Sequence, residues 1–567
     1  MVIQPIVDIP VICAAHGIRQ AVICPGSRSA LITIAFARHP EIATLVIPDE
    51  RSAGFIALGL AQSSKRTVAV ICTSGTAAAN LYPAVIEAFY QEVPLLIITA
   101  DRPPELIGQQ DGQTIRQHNL FANHIRGFYQ FPASFGTKQE IAHATRLVNE
   151  AILNASGTVK GPAHLNVPVR EPFYPAPDEK LSFSHALKII EVTHPSAGFS
   201  TEYLDVLIRE FASHERIMIF VGQQAFDVAL MQALEKIREQ THCVVVGEIF
   251  SNIHASGEFI TNHDVVLTAQ KTSSELRPDL LITCGGSIIS KNLKYFLREN
   301  PPSAHWHIGE NPEVVDTYQT LTQKMLMNPA VFFESIADHL KPDNKAKSDY
   351  QQRWQMRSDA ARKQVDEYLA ECQQGEFAAI SRIMKKLPHA STLHLANSMP
   401  VRYAGYVGLK ENVAVWANRG TSGIDGCTST AVGHALNTPN LHVLITGDMA
   451  FFYDRNGLWH QYLPPNLRIV VLNNHGGGIF RLIDGPGKLP ELNIYFETQQ
   501  TLKAENSARD FGMAYYFVND LSQLDEHLLK FFDPDNGASI LEIETNPSDN
   551  EAIFTQFKQR IKQLWKN

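Results

Sequence analysis

The sequence lacks several features that would place it in a specialised class of protein. Its seven cysteines show no CxxC spacing and mostly lie in apolar runs, which argues against zinc or disulfide frameworks and predicts reduced, buried thiols. No apolar run is long enough to span a membrane, and the amino terminus lacks the basic start and apolar core of a signal peptide. No short tandem repeat is present. We therefore expect a cytoplasmic protein with no membrane span.

Positive charge is also scarce. The chain has 49 lysines and arginines against 58 aspartates and glutamates, a net charge of −9, which argues against a general surface for nucleic acid or anionic membranes. Any anionic ligand must then be held by local arginines. The chain is 44% hydrophobic and 19% charged, as in ordinary globular proteins, and its 567 residues predict about three or four domains.

The first part of the chain alternates strands with helices, which predicts an α/β fold with a doubly wound parallel sheet. The predicted strands are 20–24, 43–47, 67–72 and 95–99. Polar turns follow them at 24–29, 48–52, 73–80 and 99–104. Because parallel strands end at the same edge of a sheet, we expect these turns to converge on one site.

Two further units of the same class follow. We place the domains at 1–178, 179–345 and 346–567, with linkers near 172–178 and 339–348. The middle unit has predicted strands at 217–221, 244–246, 280–284 and 305–308. Its most ligand-like features are Asp279 and the turn 285–291, although a plain loop with a solvated lysine is the alternative. The third unit is predicted to hold a helix at 349–374, strands at 392–395, 413–416 and 539–543, and a final helix at 551–565.

The stretch 445–480 has the clearest chemistry. It is predicted to contain short buried strands at 443–446 and 469–472, joined by a helix at 450–462. Asp448 and Asn474 follow these strands, where a doubly wound sheet binds ligands. With the carbonyl of Gly476 they make an oxygen set suited to Mg²⁺. Gly447 and the glycine run 476–478 would let backbone approach a diphosphate. The alternative is an Asx turn that closes an αβ loop.

The spacing of Gly447-Asp448 and Asn474 resembles the diphosphate and Mg²⁺ motif of thiamine-diphosphate enzymes. Met449 stands where many of those enzymes have glycine. The resemblance implies three doubly wound parallel-sheet domains, with active sites at a subunit interface. Glu50 would then be the glutamate that hydrogen-bonds the aminopyrimidine ring and promotes its imino tautomer. Taken alone, Glu50 would more often be a surface residue or an acid at the start of a helix.

Further segments make the resemblance more specific. In order, they are CPGSRSALITIAFARHP, PDERSAGFIALGLA, TSGTAAANLYPAVIEA, TADRPPEL, GQTIRQ, NSMPVR, ANRGTSGIDG and NNHGGGIF. Over essentially its whole length the chain resembles the 2-succinyl-5-enolpyruvyl-6-hydroxy-3-cyclohexene-1-carboxylate synthases, the MenD family of menaquinone biosynthesis. This implies decarboxylation of 2-oxoglutarate on thiamine diphosphate and a Stetter-like conjugate addition to isochorismate. It also implies Mg²⁺, with Mn²⁺ as a substitute, and a homodimer or a dimer of dimers.

The resemblance assigns roles to particular residues. Those expected at the cofactor are Glu50, Thr76, Ser398, Gly420, Ile424, Gly447, Asp448, Met449 and Asn474, with Asp448, Asn474 and Gly476 at the metal. Those expected at the substrates are Ser27, Arg28, Arg102, Gln113, Lys291, Arg402, Arg419, Ile479 and Phe480. Guanidinium groups suit the carboxylates of both substrates. Asn292 departs from the pattern, because this position is often arginine in the family. For Ile424, Ile479 and Phe480 the alternative is plain core packing.

Two other classes of protein remain open from the sequence. Another thiamine-diphosphate enzyme, such as an acetolactate synthase or a simple 2-oxoacid decarboxylase, would share Glu50, Asp448 and Asn474. It would not be expected to carry this set of arginines, and a decarboxylase commonly uses histidine pairs in the first domain that are not found here. A non-enzymatic αβ binding protein is the second alternative. From the resemblance to the synthase family, we assign Arg402 and Arg419 mainly to 2-oxoglutarate, and Arg28 and Arg102 mainly to isochorismate.

Overall fold

The computed structural model describes residues 3–171, 173–176, 179–193, 198–241, 243–268, 274–340, 349–409, 413–482 and 485–565. Within these ranges the chain forms three sheets whose paired strands are all parallel, which confirms the predicted α/β class. Part of the linker near 172–178 and most of the linker near 339–348 lie outside the described residues. The exact domain boundaries stay a prediction.

The first sheet lies between residues 20 and 168. Its strands are β1 Gln20–Ile23, β2 Ala43–Val46, β3 Val68–Cys72, β4 Leu95–Asp101, β5 Phe128–Gln130 and β6 Pro162–Pro168. Its α-helices are Gln4–Val7, Ile9–Ala15, Ala30–Arg38, Glu50–Ser64, Thr76–Asn80, Tyr82–Tyr90 and Lys138–Ser156. The strand order is β2-β1-β3-β4-β6-β5, so the winding direction reverses between β1 and β3. Ligands bind at such a reversal, beyond the carboxyl ends of the strands.

The middle sheet has the order of a five-stranded doubly wound fold. Its strands are β7 Ile217–Val221, β8 Val244–Gly247, β9 Leu280–Cys284, β10 Ala304–Ile308 and β11 Gln323–Met325. Its α-helices are Thr201–Ala212, Val228–Thr241, His263–Val266, Lys291–Glu299 and Pro329–His339. The order is β11-β10-β9-β7-β8. Asp279, a ligand-like feature in the sequence, pairs with Arg216 at 2.5 Å and thereby ties β9 to the start of β7.

The third sheet repeats the topology of the first. Its strands are β12 Thr392–Leu395, β13 Ala414–Trp416, β14 His442–Gly447, β15 Leu467–Asn473, β16 Ala514–Val518 and β17 Ser539–Glu544. Its α-helices are Asp349–Glu371, Gly375–Lys386, Met399–Val407, Cys427–Asn437, Asp448–Asp454, Ile479–Leu482, Ala504–Asp510, Leu524–Phe531 and Pro547–Leu564. The order is β13-β12-β14-β15-β17-β16, with its reversal between β12 and β14. The predicted strands of this unit are confirmed.

One predicted helix is shorter than expected. The prediction of a helix over 450–462 is wrong at its carboxyl end, because the α-helix ends at Asp454 and one 3-10 turn, Arg455–Leu458, follows it. The Asp454 carboxylate accepts hydrogen bonds from the backbone N–H and the hydroxyl of Ser429, at 2.8 and 2.9 Å. This contact anchors the helix end against helix Cys427–Asn437, where the chain turns towards β15.

The first and third sheets pack together through two helices, Glu50–Ser64 and Cys427–Asn437. A Cβ atom on Gly59 would lie 2.2 Å from the carbonyl oxygen of Thr430, and one on Gly433 would lie 2.1 Å from that of Ile56. Only glycine allows the two backbones to approach this closely. The contact fixes the first sheet against the third within one chain.

The cysteines are free thiols, as predicted from their spacing. Six are buried and Cys372 is partly buried. In the described ranges, no helix combines the length and the apolar character needed to cross a membrane.

Three buried histidines lie between the third sheet and helix Cys427–Asn437. The Nε2 of His394 is 3.0 Å from the Nδ1 of His442, and the Nε2 of His434 is 2.9 Å from the Oε1 of Gln62. Burial lowers the pKa of His434 to about 3 and that of His442 to about 4, and the pKa of His394 is also well below its usual value. The folded protein therefore holds these rings neutral.

We expect this cluster to make the protein sensitive to acid. Because the folded pKa values are lowered, the unfolded chain binds more protons than the folded protein below about pH 7.5, so stability falls as the pH drops from there towards the folded values. Each of these histidines then lowers the free energy of unfolding by up to about 1.4 kcal/mol as the pH falls from about 7.5 to about 5.5. Calorimetry should show a smaller loss of Tm over this interval for His434→Gln than for the unsubstituted protein. The exposed His339→Gln should match the unsubstituted protein. Equal losses in all three would contradict the assignment.

Candidate active site

Asp448 lies at the reversal point of the third sheet. It is the first residue of helix Asp448–Asp454, directly after β14, and it is 1% exposed. Its Oδ2 accepts a hydrogen bond from the Nε2 of Gln500 at 2.7 Å. Burial raises the pKa of Asp448 to about 6, although backbone N–H groups of Met449 and Gly476 favour its ionised form. A bound cation would favour the carboxylate further.

Asn474 is oriented by a buried glutamate. Its Nδ2 donates to the Oε1 of Glu376 at 2.6 Å. Its Oδ1 is buried and has no hydrogen-bond partner among the described residues. Burial, with Asp448 nearby, raises the pKa of Glu376 to about 8. An unpartnered amide oxygen near a carboxylate fits a hard divalent cation. Sequence analysis missed Glu376, because it lies about 100 residues before Asn474 in the chain.

The glycine-rich turn after Asn474 is held by a buried ion pair. The Nε of Arg481 donates to Glu497 at 2.5 Å, and the carbonyl of Glu497 accepts from the backbone N–H of Gly477 at 2.6 Å. A Cβ on Gly476 would lie 2.8 Å from that same carbonyl oxygen, so Gly476 has to be glycine. The backbone N–H of Gly476 also interacts with the Asp448 carboxylate, so Gly476 lies close to Asp448 and Asn474, the two other residues expected at the metal.

The second turn with residues expected at the cofactor follows β12. Ser398 precedes helix Met399–Val407 with φ of 77°, a left-handed conformation that is uncommon for serine. Strain of this kind is often found at ligand sites. Gly447 and Met449, on either side of Asp448, are half-buried. The topology therefore brings Ser398, Gly447, Asp448 and Met449 to the reversal point between β12 and β14.

A residue missed in the sequence, Glu87, anchors the loop that carries Gly420 and Ile424. Glu87 is 1% exposed and belongs to helix Tyr82–Tyr90 of the first unit. Its carboxylate accepts from the backbone N–H groups of Gly420 and Thr421 at 2.8 and 2.7 Å, and from the Thr421 hydroxyl. Ile424 is 38% exposed and is therefore not a core residue of this chain. The alternative that Ile424 serves only for core packing is therefore wrong for a single chain.

Glu50 begins helix Glu50–Ser64 and is half-buried. Its neighbours contact the end of helix Asp448–Asp454: Arg51 donates to the carbonyl of Tyr453 at 2.7 Å, and Asn456 donates to Asp49 at 2.8 Å. Among the described residues, Glu50 itself forms no hydrogen bond with Asp448 or Asn474. One chain therefore places Glu50 beside the far end of the helix that begins with Asp448.

Three of the four polar turns of the first sheet, 24–29, 73–80 and 99–104, converge around an arginine pair, Arg28 and Arg102. The Nη1 of Arg102 donates to the Oγ of Ser74 at 2.5 Å, and that of Arg28 donates to the carbonyl of Val169 at 3.1 Å. Both arginines are buried. Burial and the neighbouring Arg102 lower the pKa of Arg28. The Nε of Arg28 has no partner within the described ranges.

Other residues expected in the first unit lie on the surface around this pair. Ser27, Thr76 and Gln113 are exposed. The backbone of Gln113 packs against Gly75, where a Cβ would lie 3.1 Å from the Gln113 carbonyl oxygen. The ring centroid of Phe173 lies 4.2 Å from the guanidinium carbon of Arg28. Phe173 belongs to the stretch that the sequence predicts only as a linker. The linker therefore contributes to the site, which its proline-rich composition did not reveal.

A second arginine pair, Arg402 and Arg419, lies in the third unit, and the guanidinium carbon of Arg419 is 5.9 Å from the ring centroid of Phe250 in the middle unit. The Nη1 of Arg419 donates to the Oδ1 of Asn397 at 2.7 Å, while its buried Nε has no partner in the part of the chain that the structure describes. Burial and the nearby Arg402 lower the pKa of Arg419. Lys291 is exposed at the start of helix Lys291–Glu299. Asn292 instead donates to the carbonyl of Asp264 at 3.0 Å, which directs its amide to the protein and not to a ligand.

Ile479 and Phe480 belong to the short helix Ile479–Leu482 that follows the glycine-rich turn. Both are half-buried. Ile479 packs against the large core of the third unit, and the ring of Phe480 lies 5.9 Å from that of Phe496. Ile479 therefore has a packing role in this chain, and the remaining exposed surface of the two side chains is open to a ligand.

Comparisons with known proteins agree with this geometry. Residues 9–120 match the family model of the thiamine pyrophosphate enzyme N-terminal TPP binding domain, and residues 207–395 match that of the middle domain of thiamine pyrophosphate enzymes. Together the matches cover more than half of the chain. The fold and the site thus define a thiamine-diphosphate-dependent enzyme.

Curated relatives identify the family more closely. Three proteins named 2-succinyl-5-enolpyruvyl-6-hydroxy-3-cyclohexene-1-carboxylate synthase are similar to this chain over nearly the full length of both. The protein from Cytophaga hutchinsonii is 42% identical, over 99% of this chain and 100% of its own. Those from Flavobacterium johnsoniae and Porphyromonas gingivalis are 38% and 37% identical, over 97% and 95% of this chain and 97% and 94% of their own. The chain belongs to this synthase family.

Proposed function

We propose that the chain catalyses the reaction of its family: decarboxylation of 2-oxoglutarate, followed by addition of the four-carbon unit to isochorismate in menaquinone biosynthesis. The observation that carries this proposal is the presence of two separate arginine pairs, Arg28 with Arg102 and Arg402 with Arg419. In each pair one buried Nε, of Arg28 or of Arg419, lacks a partner among the described residues. Two sites for carboxylates suit two dicarboxylate substrates. An acetolactate synthase or simple decarboxylase is not favoured.

Thiamine diphosphate is the cofactor of this family, and when bound it supplies the electron sink for decarboxylation. We propose that Mg²⁺, or Mn²⁺ in its place, would neutralise the charge of the diphosphate. Asp448, Asn474 and Gly476 would hold the metal, and the free Oδ1 of Asn474 supports this. We assign Gly447, Met449, Ser398, Gly420 and Thr76 to the cofactor itself, and Ile424 to support of its bent form.

The protein side chains bind, orient and shield the reactants. Glu50 would hydrogen-bond the aminopyrimidine and promote the tautomer that accepts a proton. Arg402, Arg419 and Lys291 would orient 2-oxoglutarate, and Arg28, Arg102, Ser27 and Gln113 would orient isochorismate. Ile479 and Phe480 would exclude water, because a proton from water in place of isochorismate would give succinic semialdehyde as the product.

We further propose a homodimer or dimer of dimers with active sites between subunits. Glu50 and Asp448 belong to one chain but form no hydrogen bond with each other in it, so a second copy could bring the two halves together. Large apolar side chains near both are exposed, namely Val46, Ile424, Tyr453 and Trp459, at 41, 38, 52 and 55%. Such surface is typical of a partner interface. Placement in the cytoplasm remains a prediction from the sequence.

The proposal is tested by incubating purified protein with thiamine diphosphate, Mg²⁺, 2-oxoglutarate and isochorismate. Mass spectrometry should detect the conjugate-addition product and CO₂ should form in equal amount. Pyruvate in place of 2-oxoglutarate is the control for an acetolactate synthase or decarboxylase. Release of succinic semialdehyde alone, with no conjugate product, would overturn the assignment of the second substrate.

We expect Arg28→Ala to separate the two half-reactions. The loss of one charge-assisted contact in a partly desolvated site costs roughly 1.5–3 kcal/mol, or about 10- to 150-fold in apparent affinity for isochorismate. CO₂ release from 2-oxoglutarate alone, in a single turnover, should stay nearly intact. Arg38→Ala, an exposed arginine of the same unit, is the control. If Arg28→Ala blocks CO₂ release as strongly as Glu50→Gln does, then Arg28 serves the first substrate.

A further inference from the structure

A carboxylate of the chain itself lies against the arginine pair that we assign to isochorismate. Asp111 belongs to a stretch without helix or strand between the 3-10 turns Pro104–Leu106 and Ala122–His124. Its Oδ2 accepts from the Nε of Arg102 at 2.7 Å and lies 3.9 Å from the Nη2 of Arg28. The two arginine side chains are 8% exposed, whereas the Asp111 side chain is 37% exposed. Asp111 thus approaches both guanidinium groups from the open side.

The two arginines are oriented without Asp111. Arg102 also donates to the Oγ of Ser74 and to the carbonyl of Gly112, while Arg28 donates to the carbonyl of Val169 and lies over Phe173. These partners fix the direction of both guanidinium groups. Loss of the Asp111 carboxylate therefore removes a negative charge from the site but leaves most of the contacts that position the arginines.

The arginine pair also has a hydrogen-bond donor that Asp111 does not use. The buried Nε of Arg28 has no partner among the described residues, and Asp111 reaches only the Nη2 of Arg28, at 3.9 Å. A second acid, Asp101, is turned away from the guanidinium groups, because its carboxylate accepts from the backbone N–H of Arg102 and from Asn166. A ligand carboxylate could therefore bind both arginines more completely than Asp111 does.

We propose that Asp111 is a competing carboxylate, which pairs with Arg102 and Arg28 when isochorismate is absent and is replaced by a carboxylate of isochorismate when that substrate binds. The proposal rests on the assignment of these arginines in the proposed function. It makes Asp111 a specificity-determining residue. A ligand that offers no carboxylate must leave the Asp111 pair in place, whereas isochorismate exchanges one carboxylate for another at the same arginines. The exchange lowers the apparent affinity for isochorismate, because part of its binding energy replaces an existing ion pair.

The test measures isochorismate affinity in the absence of chemistry. The protein loaded with thiamine diphosphate and Mg²⁺ is titrated calorimetrically with isochorismate, without 2-oxoglutarate. Asp111→Asn keeps the shape of the side chain but removes its charge. We expect Kd, and KM for isochorismate in the full reaction, to fall about two- to fivefold, as suits a partly exposed ion pair. CO₂ release from 2-oxoglutarate alone should not change. Glu105→Gln, which removes the exposed pair with Arg170 in the same segment, should leave Kd unchanged.

The outcomes separate the inference from the function on which it rests. If the unsubstituted protein binds isochorismate but Asp111→Asn binds it equally or more weakly, Asp111 positions the arginines or plays no part, and the inference is overturned while the function stands. If the unsubstituted protein does not bind isochorismate at all, the assignment of the substrate fails and the inference fails with it. Tighter binding by Asp111→Asn alone supports the competition.

Discussion

Asp448→Ala is expected to abolish the Mg²⁺-dependent binding of thiamine diphosphate. Asp448 is the only charged group among the three residues assigned to the metal, and it lies buried at the start of a helix beside Asn474 and Gly476. Without it, a bound diphosphate would be poorly neutralised in a site that excludes water. Changes in groups that merely support a metal ligand cost 10- to 100-fold in affinity, so loss of the charged ligand should cost at least about 100-fold.

Isothermal titration of the protein with thiamine diphosphate, with Mg²⁺ and with a chelator, measures this effect directly. The control is Asp525→Ala, which removes an exposed aspartate of the same unit and should bind cofactor like the unsubstituted protein. A thermal unfolding curve of each variant verifies that the fold is intact. If Asp448→Ala retains the cofactor affinity of the unsubstituted protein, the metal site lies elsewhere.

The second large effect is expected for Glu50→Gln. The change keeps the size of the side chain but removes the carboxylate that would promote the reactive tautomer of the aminopyrimidine. Activation of the thiazolium carbon should slow by a factor on the order of 10² to 10⁴, the usual contribution of a positioned acid or base. Cofactor affinity should stay within about tenfold, because the diphosphate and the metal, which provide most of the binding, do not involve Glu50.

Hydrogen–deuterium exchange at the thiazolium carbon, followed by NMR after acid quenching, reports this activation step. Glu41→Gln is the matched control, because Glu41 is an exposed glutamate of the same unit that pairs with Arg19 on the surface. Exchange should be unaffected in that variant. An unchanged exchange rate in Glu50→Gln would refute the role assigned to Glu50.

Much of the architecture follows from local sequence. Apolar runs such as 95–99 and 469–472 are followed by turn residues, and each run forms a strand buried on both faces. Parallel sheets need such runs, because helices cover both of their faces. The position of Asp448 at a strand end could be predicted from the sequence for the same reason. The carboxyl end of helix Asp448–Asp454 could not be predicted from the sequence. It depends on a contact of Asp454 with Ser429, and Ser429 lies in another helix.

By itself, the sequence determined the class of fold, the three units, the family and the residue types expected at the cofactor and the substrates. Those features depend on local pattern and on motifs that are contiguous in the chain. Only the tertiary structure decided which groups contact these residues: Glu376 accepts from Asn474, Glu87 accepts from the loop of Gly420, and Asp111 pairs with the arginines. A buried polar group needs a partner, but its partner can come from any part of the chain that the fold brings near. No local pattern in the sequence encodes that choice.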